Sequence, residues 1–388
     1  MQYRKGISVL GYGCMRFTSS GGKPIFEKAE KEVLRALELG VNYFDTAYIY
    51  PGSEEVLGRI IEKNGIRDKI TLTTKLPQYM VRNRAGLDNY LQEELKRLRT
   101  DHLDYYLMHH MTDYSQWERL AGLGIVEWMK EKKEAGVVRH FGFSFHGNTE
   151  MFLKILNAYD WELCLVQYNY MDEHTQAGKR GVEAAAAKGI PVMIMEPLRG
   201  GKLVDLLPEK AKKEIAQDQN GWTPAGWAFR WLWNQEAVTC VLSGMNSIAM
   251  IEENCNTASD AQPNSFGEHE FAMIDRIKSI INENTKVGCT GCRYCMPCPK
   301  GIDIPGIFSC YNHMYSENKG SGRKEYFQTI ALRKDSASAK QCIRCGKCEQ
   351  HCPQSIPIRD KLQEAEKALQ PLPYKIAAAL GRKYMLKK

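Results

Sequence analysis

The chain has 388 residues, 43% of them apolar, and a formal net charge of +7. That length exceeds what one hydrophobic core usually serves, so at least two folded units are expected. No stretch approaches the roughly 18 consecutive apolar residues that cross a bilayer, and the basic residues are scattered, so neither a membrane span nor nucleic-acid binding is expected.

The opening MQYRKGISVL holds no long apolar run of the signal-peptide kind, and Cys14, Cys164, Cys240 and Cys255 lie singly. Both features suit a reducing, cytoplasmic setting better than a disulfide framework. From there to residue 260, short β-branched runs alternate with longer amphipathic segments, the pattern of repeated βα units around a parallel sheet. The candidate strands in chain order are ISVLG, VNYFDTA, KITLTTK, LDYYLMH, VVRHFGFS, LCLVQYN, PVMIM and VTCVLSG, with helical patterns such as EKAEKEVLRALEL and RAGLDNYLQEELKRLR between them. Eight such units predict an α/β fold, a (β/α)8 TIM barrel over residues 1–285. A doubly wound sheet would show a GxGxxG turn after its first strand, and GYGCMR lacks the third glycine.

Reactive side chains of a barrel stand at the C-terminal ends of its strands. Asp45 closes VNYFD, Lys75 closes ITLTTK and His109 closes LDYYLMH, each on the parity of its strand's inward residues, and Tyr50 follows Asp45 by five residues. Gathered at one mouth, they make a coherent proton donor for carbonyl reduction. The Lys75 ammonium is expected to lower the Tyr50 pKa, Asp45 to hold the lysine charged, and His109 to hydrogen-bond the substrate oxygen. Taken singly, each has a structural explanation. Further along, GWTPAGWAFRWLWNQ reads as a helix with Thr223 as N-cap and Pro224 at its first position, its tryptophans packed on the barrel.

Eight of the 13 cysteines form two short runs, Cys289, Cys292, Cys295 and Cys298, then Cys342, Cys345, Cys348 and Cys352. Thiolates at this spacing converge on four-iron clusters, and in the two-cluster pattern CxxCxxCxxxCP the last cysteine of each run ligates the other cluster. The second run fits that pattern, whereas the first is one residue shorter, which leaves its crossing open. CPKGIDIPG and CPQSIPIRD read as two copies of one half-module. Structural zinc is the competing explanation, but zinc ligands usually come as separated CxxC pairs. Residues 286–360 are therefore expected to form a ferredoxin-like domain with two [4Fe-4S] clusters, and residues 361–388 a solvated tail. Cys310 is unassigned, with a buried apolar place the simplest account of it.

The strings VLGYGCMRF, FDTAYIYPGSEEVLG, TTK at Lys75, LDYYLMHH, VQYN and IEEN together resemble the aldo-keto reductases over most of residues 1–260. The resemblance implies Tyr50 as general acid in a tetrad with Asp45, Lys75 and His109, leaving His110 and Tyr48 one and two places off. It also implies NADPH or NADH as cofactor, contacted through Ser144, Gln167 and Asn169 at the carboxamide and through Ser243, Asn246, Ser247 and Asn254 at the ribose and adenine. Two departures stand out. Met195 replaces an aromatic that stacks on the nicotinamide in many members, and Gly244 and Met250 replace a lysine and an arginine that read the 2'-phosphate. Loss of both cations weakens the electrostatic case for NADPH over NADH.

The combined expectation is an oxidoreductase that reduces a small-molecule carbonyl or related unsaturated compound, with clusters exchanging electrons with an external carrier. A flavin in the barrel mouth would reconcile two-electron with one-electron chemistry, although no motif supports it. A redox sensor or electron-transfer partner, binding the cofactor without turnover, is the alternative. Tyr79, Met80 and Tyr114, on loops after strands, are expected around the substrate.

Overall fold

Each of the eight apolar runs contributes a strand to one closed parallel barrel in the computed structural model, which describes residues 1–283, 285–289, 291, 293–331, 337–352 and 354–386. The strands are β1 (Leu10–Gly13), β2 (Tyr43–Asp45), β3 (Thr71–Leu76), β4 (Leu103–Met111), β5 (Val138–Phe145), β6 (Cys164–Gln167), β7 (Val192–Met195) and β8 (Cys240–Ser243). They pair in chain order, and the ring closes through Val241 of β8 opposite Leu10 of β1. Helices cover the outer face, so the strands are buried on both sides and read as nearly continuous apolar runs.

The first strand starts later than ISVLG suggests. Ile7 and Ser8 pair antiparallel with Tyr3 and Arg4, and the barrel strand begins at Leu10. Ile7 still serves the barrel interior, packing with Tyr43, Leu107, Leu163, Leu165, Met193, Cys240 and Leu242. Their periodicity alone could not separate a hairpin residue from a strand residue, because both face the same core.

Register explains why the polar strand ends converge. Tyr43 and Leu107 point into that interior, and alternation carries the same face two residues on to Asp45 and His109. Lys75 lies opposite Leu107 in the β3–β4 ladder, so it shares the inward face. Outside the barrel, the helix Ser53–Asn64 packs tightly on the helix Arg84–Leu98, and a Cβ on Gly58 would stand 2.2 Å from the Arg97 carbonyl oxygen. The glycine of SEEVLG is thus a packing requirement. The tryptophan-rich segment forms the helix Pro224–Trp233, capped by the Thr223 hydroxyl, with Trp227, Trp231 and Trp233 buried.

Contacts divide the chain into two units, residues 1–203 with 222–270, and residues 204–221 with 271–388. The second includes the helix Glu209–Gln217, joined by Arg276–Glu214 at 2.9 Å to the helix that ends at Asn282. Its core is built from Ile302, Ile304, Ile307, Phe308, Met314, Tyr326, Leu362 and Leu369, on helices Ile304–Ser316, Lys319–Tyr326 and Ile358–Leu369. Cys310 is buried in that core.

Candidate active site and iron-sulfur module

At the C-terminal mouth of the barrel, the Lys75 ammonium donates to Asp45 Oδ1 at 2.6 Å and to the Thr46 carbonyl at 2.5 Å. Both side chains of this ion pair are almost wholly buried, at 1% and 5% exposure. Tyr50 lies in the turn that joins β2 to the helix at Ser53, fixed by its N–H donating to the Ala47 carbonyl and its own carbonyl accepting from Ser53. Its ring centre is 5.1 Å from Lys75 Nζ, and the His109 ring stands edge-on to it at 6.0 Å. All four residues that the sequence singled out are thus brought together. Tyr48 instead hydrogen-bonds Glu93 at 2.9 Å, and His110 is exposed.

The electrostatics differ from expectation at Tyr50. Burial pushes its phenol above the ordinary value; Lys75 pulls it down and Asp45 adds to the rise, so the net effect is a raised pKa. The ammonium tempers the cost of burial without overcoming it. Burial also works against the Lys75 charge, but Asp45 and Tyr50 outweigh it and hold the lysine above its usual range. His109 is driven down to about 2 by burial, then by Lys75, His110 and His146, and its buried Nδ1 has no hydrogen-bond partner. The mouth therefore holds a protonated phenol, an ammonium and a neutral imidazole.

The proposed cofactor positions fall into three groups. Ser144 is buried at the end of β5, where its Oγ accepts from the His110 N–H at 2.8 Å and its own hydrogen stays available. Gln167, closing β6, is held by Asp172 at 3.1 Å and by Gln176. Asn169 is different: its amide donates to Asp172 and the Glu196 carbonyl, and its oxygen accepts from the N–H groups of Met171 and Asp172. With that capacity used inside the protein, it shapes a turn and presents no free amide here. Ser243 closes β8 and accepts from Asn254 at 3.3 Å, while Ser247 caps the helix Ile248–Ser259 and Asn246 is exposed beside it.

The cysteine runs show their repeat in the backbone. Two residues after the first cysteine of each run, Gly291 and Arg344 have φ of 71° and 56°, and four residues after it, Arg293 and Gly346 have 66° and 78°. Gly301 and Ser355, three residues past each final cysteine, are also left-handed, and a helix starts six residues past it, at Ile304 and at Ile358. Such turns aim backbone N–H groups inward, as at Arg344, whose N–H donates to Cys342 Sγ at 3.4 Å. One cavity is lined by Cys342, Cys345 and Cys348 with Cys295 and Cys298, and another by Cys289 and Cys295 with Cys352. The last cysteine of each run thus lines the cavity that holds cysteines of the other run, and Cys295 lines both. Cys292 lies outside the described residues. The thiolate set and the inward N–H group fit two four-iron clusters, which supply one-electron exchange when bound.

Comparison with known proteins gives a match over residues 9–278 to the aldo/keto reductase family. The chain belongs to this family. Residues 288–356 match a 4Fe-4S dicluster domain. Aldo-keto reductase YhdN of Bacillus subtilis is 35% identical over 145 residues, 35% of this chain but 42% of that protein, so the chain spans less than half of that relative. Methylglyoxal reductase YeaE of Escherichia coli is 27% identical over 259 residues, covering 64% of this chain and 84% of that protein. A Klebsiella pneumoniae aldo-keto reductase solved with NADPH superposes with a TM-score of 0.58 at 22% identity, over 70% of this chain and 91% of that one, and shows the fold.

The barrel mouth holds one residue that sequence reasoning passed over. His146 stands with its ring 4.6 Å from that of His110, and burial first, then His110, lowers it to about 3, against an opposing contribution from Gln176. It lies two residues past Ser144 on the same parity, a signal already present in FGFSFH. Among the described residues, no helix is long and apolar enough to cross a membrane.

Proposed function

We propose that this protein reduces a small carbonyl compound with a nicotinamide cofactor, Tyr50 delivering the proton. The observation that carries it is the Lys75 ammonium held between Asp45 at 2.6 Å and the Tyr50 ring at 5.1 Å, with His109 edge-on to the same ring. When bound, the nicotinamide supplies a hydride to the carbonyl carbon. Tyr50 gives its phenolic proton to the carbonyl oxygen, and the phenolate left behind is stabilised by Lys75, whose charge Asp45 secures. Neutral His109 orients the carbonyl oxygen by hydrogen bonding, and solvent restores the phenol after the alcohol departs.

Ser144 and Gln167 are assigned to the carboxamide, and Ser243, Asn246, Ser247 and Asn254 to the ribose and adenine. The reductase names of relatives such as methylglyoxal reductase YeaE support a small carbonyl substrate. The flavin has no observation behind it and is not carried forward. The dicluster domain is assigned to one-electron exchange with an external carrier, through clusters held by Cys289, Cys292, Cys295 and Cys352 and by Cys298, Cys342, Cys345 and Cys348. Anaerobic incubation with NADH or NADPH and a panel of small aldehydes and ketones tests the proposal. Carbonyl-dependent cofactor oxidation is expected, and tight cofactor binding with no oxidation by any carbonyl would leave a sensor in its place.

A further inference from the structure

The cofactor assigned above has two ends on the barrel mouth. Ser144 and Gln167 mark the nicotinamide end on β5 and β6, and Ser243, Asn246, Ser247 and Asn254 mark the adenosine end at and beyond β8. A diphosphate joins the two, so it must cross the end of β7 on its way to β8. It brings two negative charges, yet none of those six positions is a cation, and Gly244 and Met250 add none. Arg199 is next to the path but is taken, its Nε 2.9 Å from Asp172 in a nearly buried ion pair.

We propose that Arg16 is the residue that grips the cofactor diphosphate. Arg16 ends the short turn after β1, and its side chain runs from Gly244, the residue after β8, to Gly200 in the loop after β7. A Cβ on Gly244 would stand 2.7 Å from Arg16 Cδ and 3.1 Å from its Cβ and Cγ, and one on Gly200 would stand 3.0 Å from Nη2. The stem therefore fills the space that a side chain at position 244 would occupy, and the guanidinium reaches the loop after β7. The absence of a side chain at Gly244 leaves room for that path, and Gly200, at φ 71°, sits where a side chain would be strained. Among the described residues, no carboxylate or carbonyl engages the Arg16 guanidinium, which is exposed with its donors free. A planar, permanently charged fork held open at this point matches a phosphate in shape and charge. The cation absent from position 244 is thus supplied by a different loop, and moved from the adenosine end toward the middle of the cofactor.

Because the diphosphate is common to NADH and NADPH, Arg16 does not choose between them. The inference rests on the nicotinamide-dependent function proposed above, and its test separates the two. The full-length protein is titrated anaerobically with NADH and with NADPH by fluorescence, wild type beside Arg16→Ala and Arg16→Lys, with thermal unfolding as a check on folding. Arg16→Ala is expected to weaken both cofactors by a similar factor, roughly tenfold or more, with Arg16→Lys between it and wild type. Equal affinity of wild type and Arg16→Ala for both cofactors would overturn the assignment of Arg16 alone. Loss confined to NADPH would also overturn it, by moving the contact to the 2'-phosphate. A wild-type protein that binds neither cofactor would overturn the proposed function and Arg16 with it.

Discussion

The Lys75 ammonium lies 5.1 Å from the centre of the Tyr50 ring, and the phenol is nonetheless held above its ordinary pKa because burial outweighs that charge. The combination suits a general acid that must stay protonated at neutral pH and release its proton only as a more basic alkoxide forms. Carbonyl reduction is therefore expected to be flat through neutral pH and to fall only above the ordinary phenol value of about 10. Alcohol oxidation needs the phenolate and should climb over the same range. Lys75→Met removes the charge that lowers the phenol, so both limbs should move to higher pH in steady-state profiles.

Asp45→Asn leaves the Lys75 ammonium buried without its counter-charge, at 1% exposure. Breaking a buried pair from one side typically costs about 3 to 5 kcal/mol. Urea unfolding should show a loss of that order, partly recovered in the double variant Asp45→Asn with Lys75→Met. Equal stability of Asp45→Asn and wild type would contradict the buried ion pair.

His109 is neutral in the folded state, with its pKa at about 2 against 6.5 for the free side chain. A histidine with a depressed folded pKa takes up its proton on unfolding, so its contribution is intact above pH 6.5 and is lost as pH falls below it. Between pH 6.5 and 5 this amounts to roughly 2 kcal/mol. Unfolding measured at pH 7 and pH 5 should show His109→Gln losing less stability than wild type over that interval, while an identical loss would argue against a buried neutral imidazole.

Crossed ligation gives the cysteine variants a definite pattern. Cys298→Ser combined with Cys345→Ser removes two ligands from one cluster and should leave about four irons per chain with one clean cluster spectrum. Cys298→Ser combined with Cys289→Ser removes one ligand from each and should perturb both. Iron analysis and low-temperature EPR of the reduced proteins distinguish the two pairs, and the reverse pattern would mean that each run serves its own cluster.

The barrel was legible because its strands are buried on both faces and leave unbroken apolar runs, and the polar strand ends were legible because strand parity is rigid. Asp45, Lys75 and His109 needed only alternation to be placed on one side. What failed depended on three-dimensional surroundings that spacing does not encode. The direction of the Tyr50 shift turned on how deeply the ring is packed. Asn169 looked available until its amide proved to be occupied by Asp172 and the Glu196 carbonyl. That Cys298 and Cys352 each line a cavity with cysteines of the opposite run could be seen only in three dimensions, and Arg16 gained its interest from two glycines distant in sequence, Gly200 and Gly244.

Tyr50→Phe tests the central claim most directly, since it removes one oxygen and keeps the ring that packs beside His109. With the cofactor prebound and oxygen excluded, a single-turnover measurement should show nicotinamide affinity retained and the reduction step slowed by about a hundredfold to ten-thousandfold. A Tyr50→Phe protein that binds cofactor and reduces the same carbonyl at the wild-type rate would contradict the account.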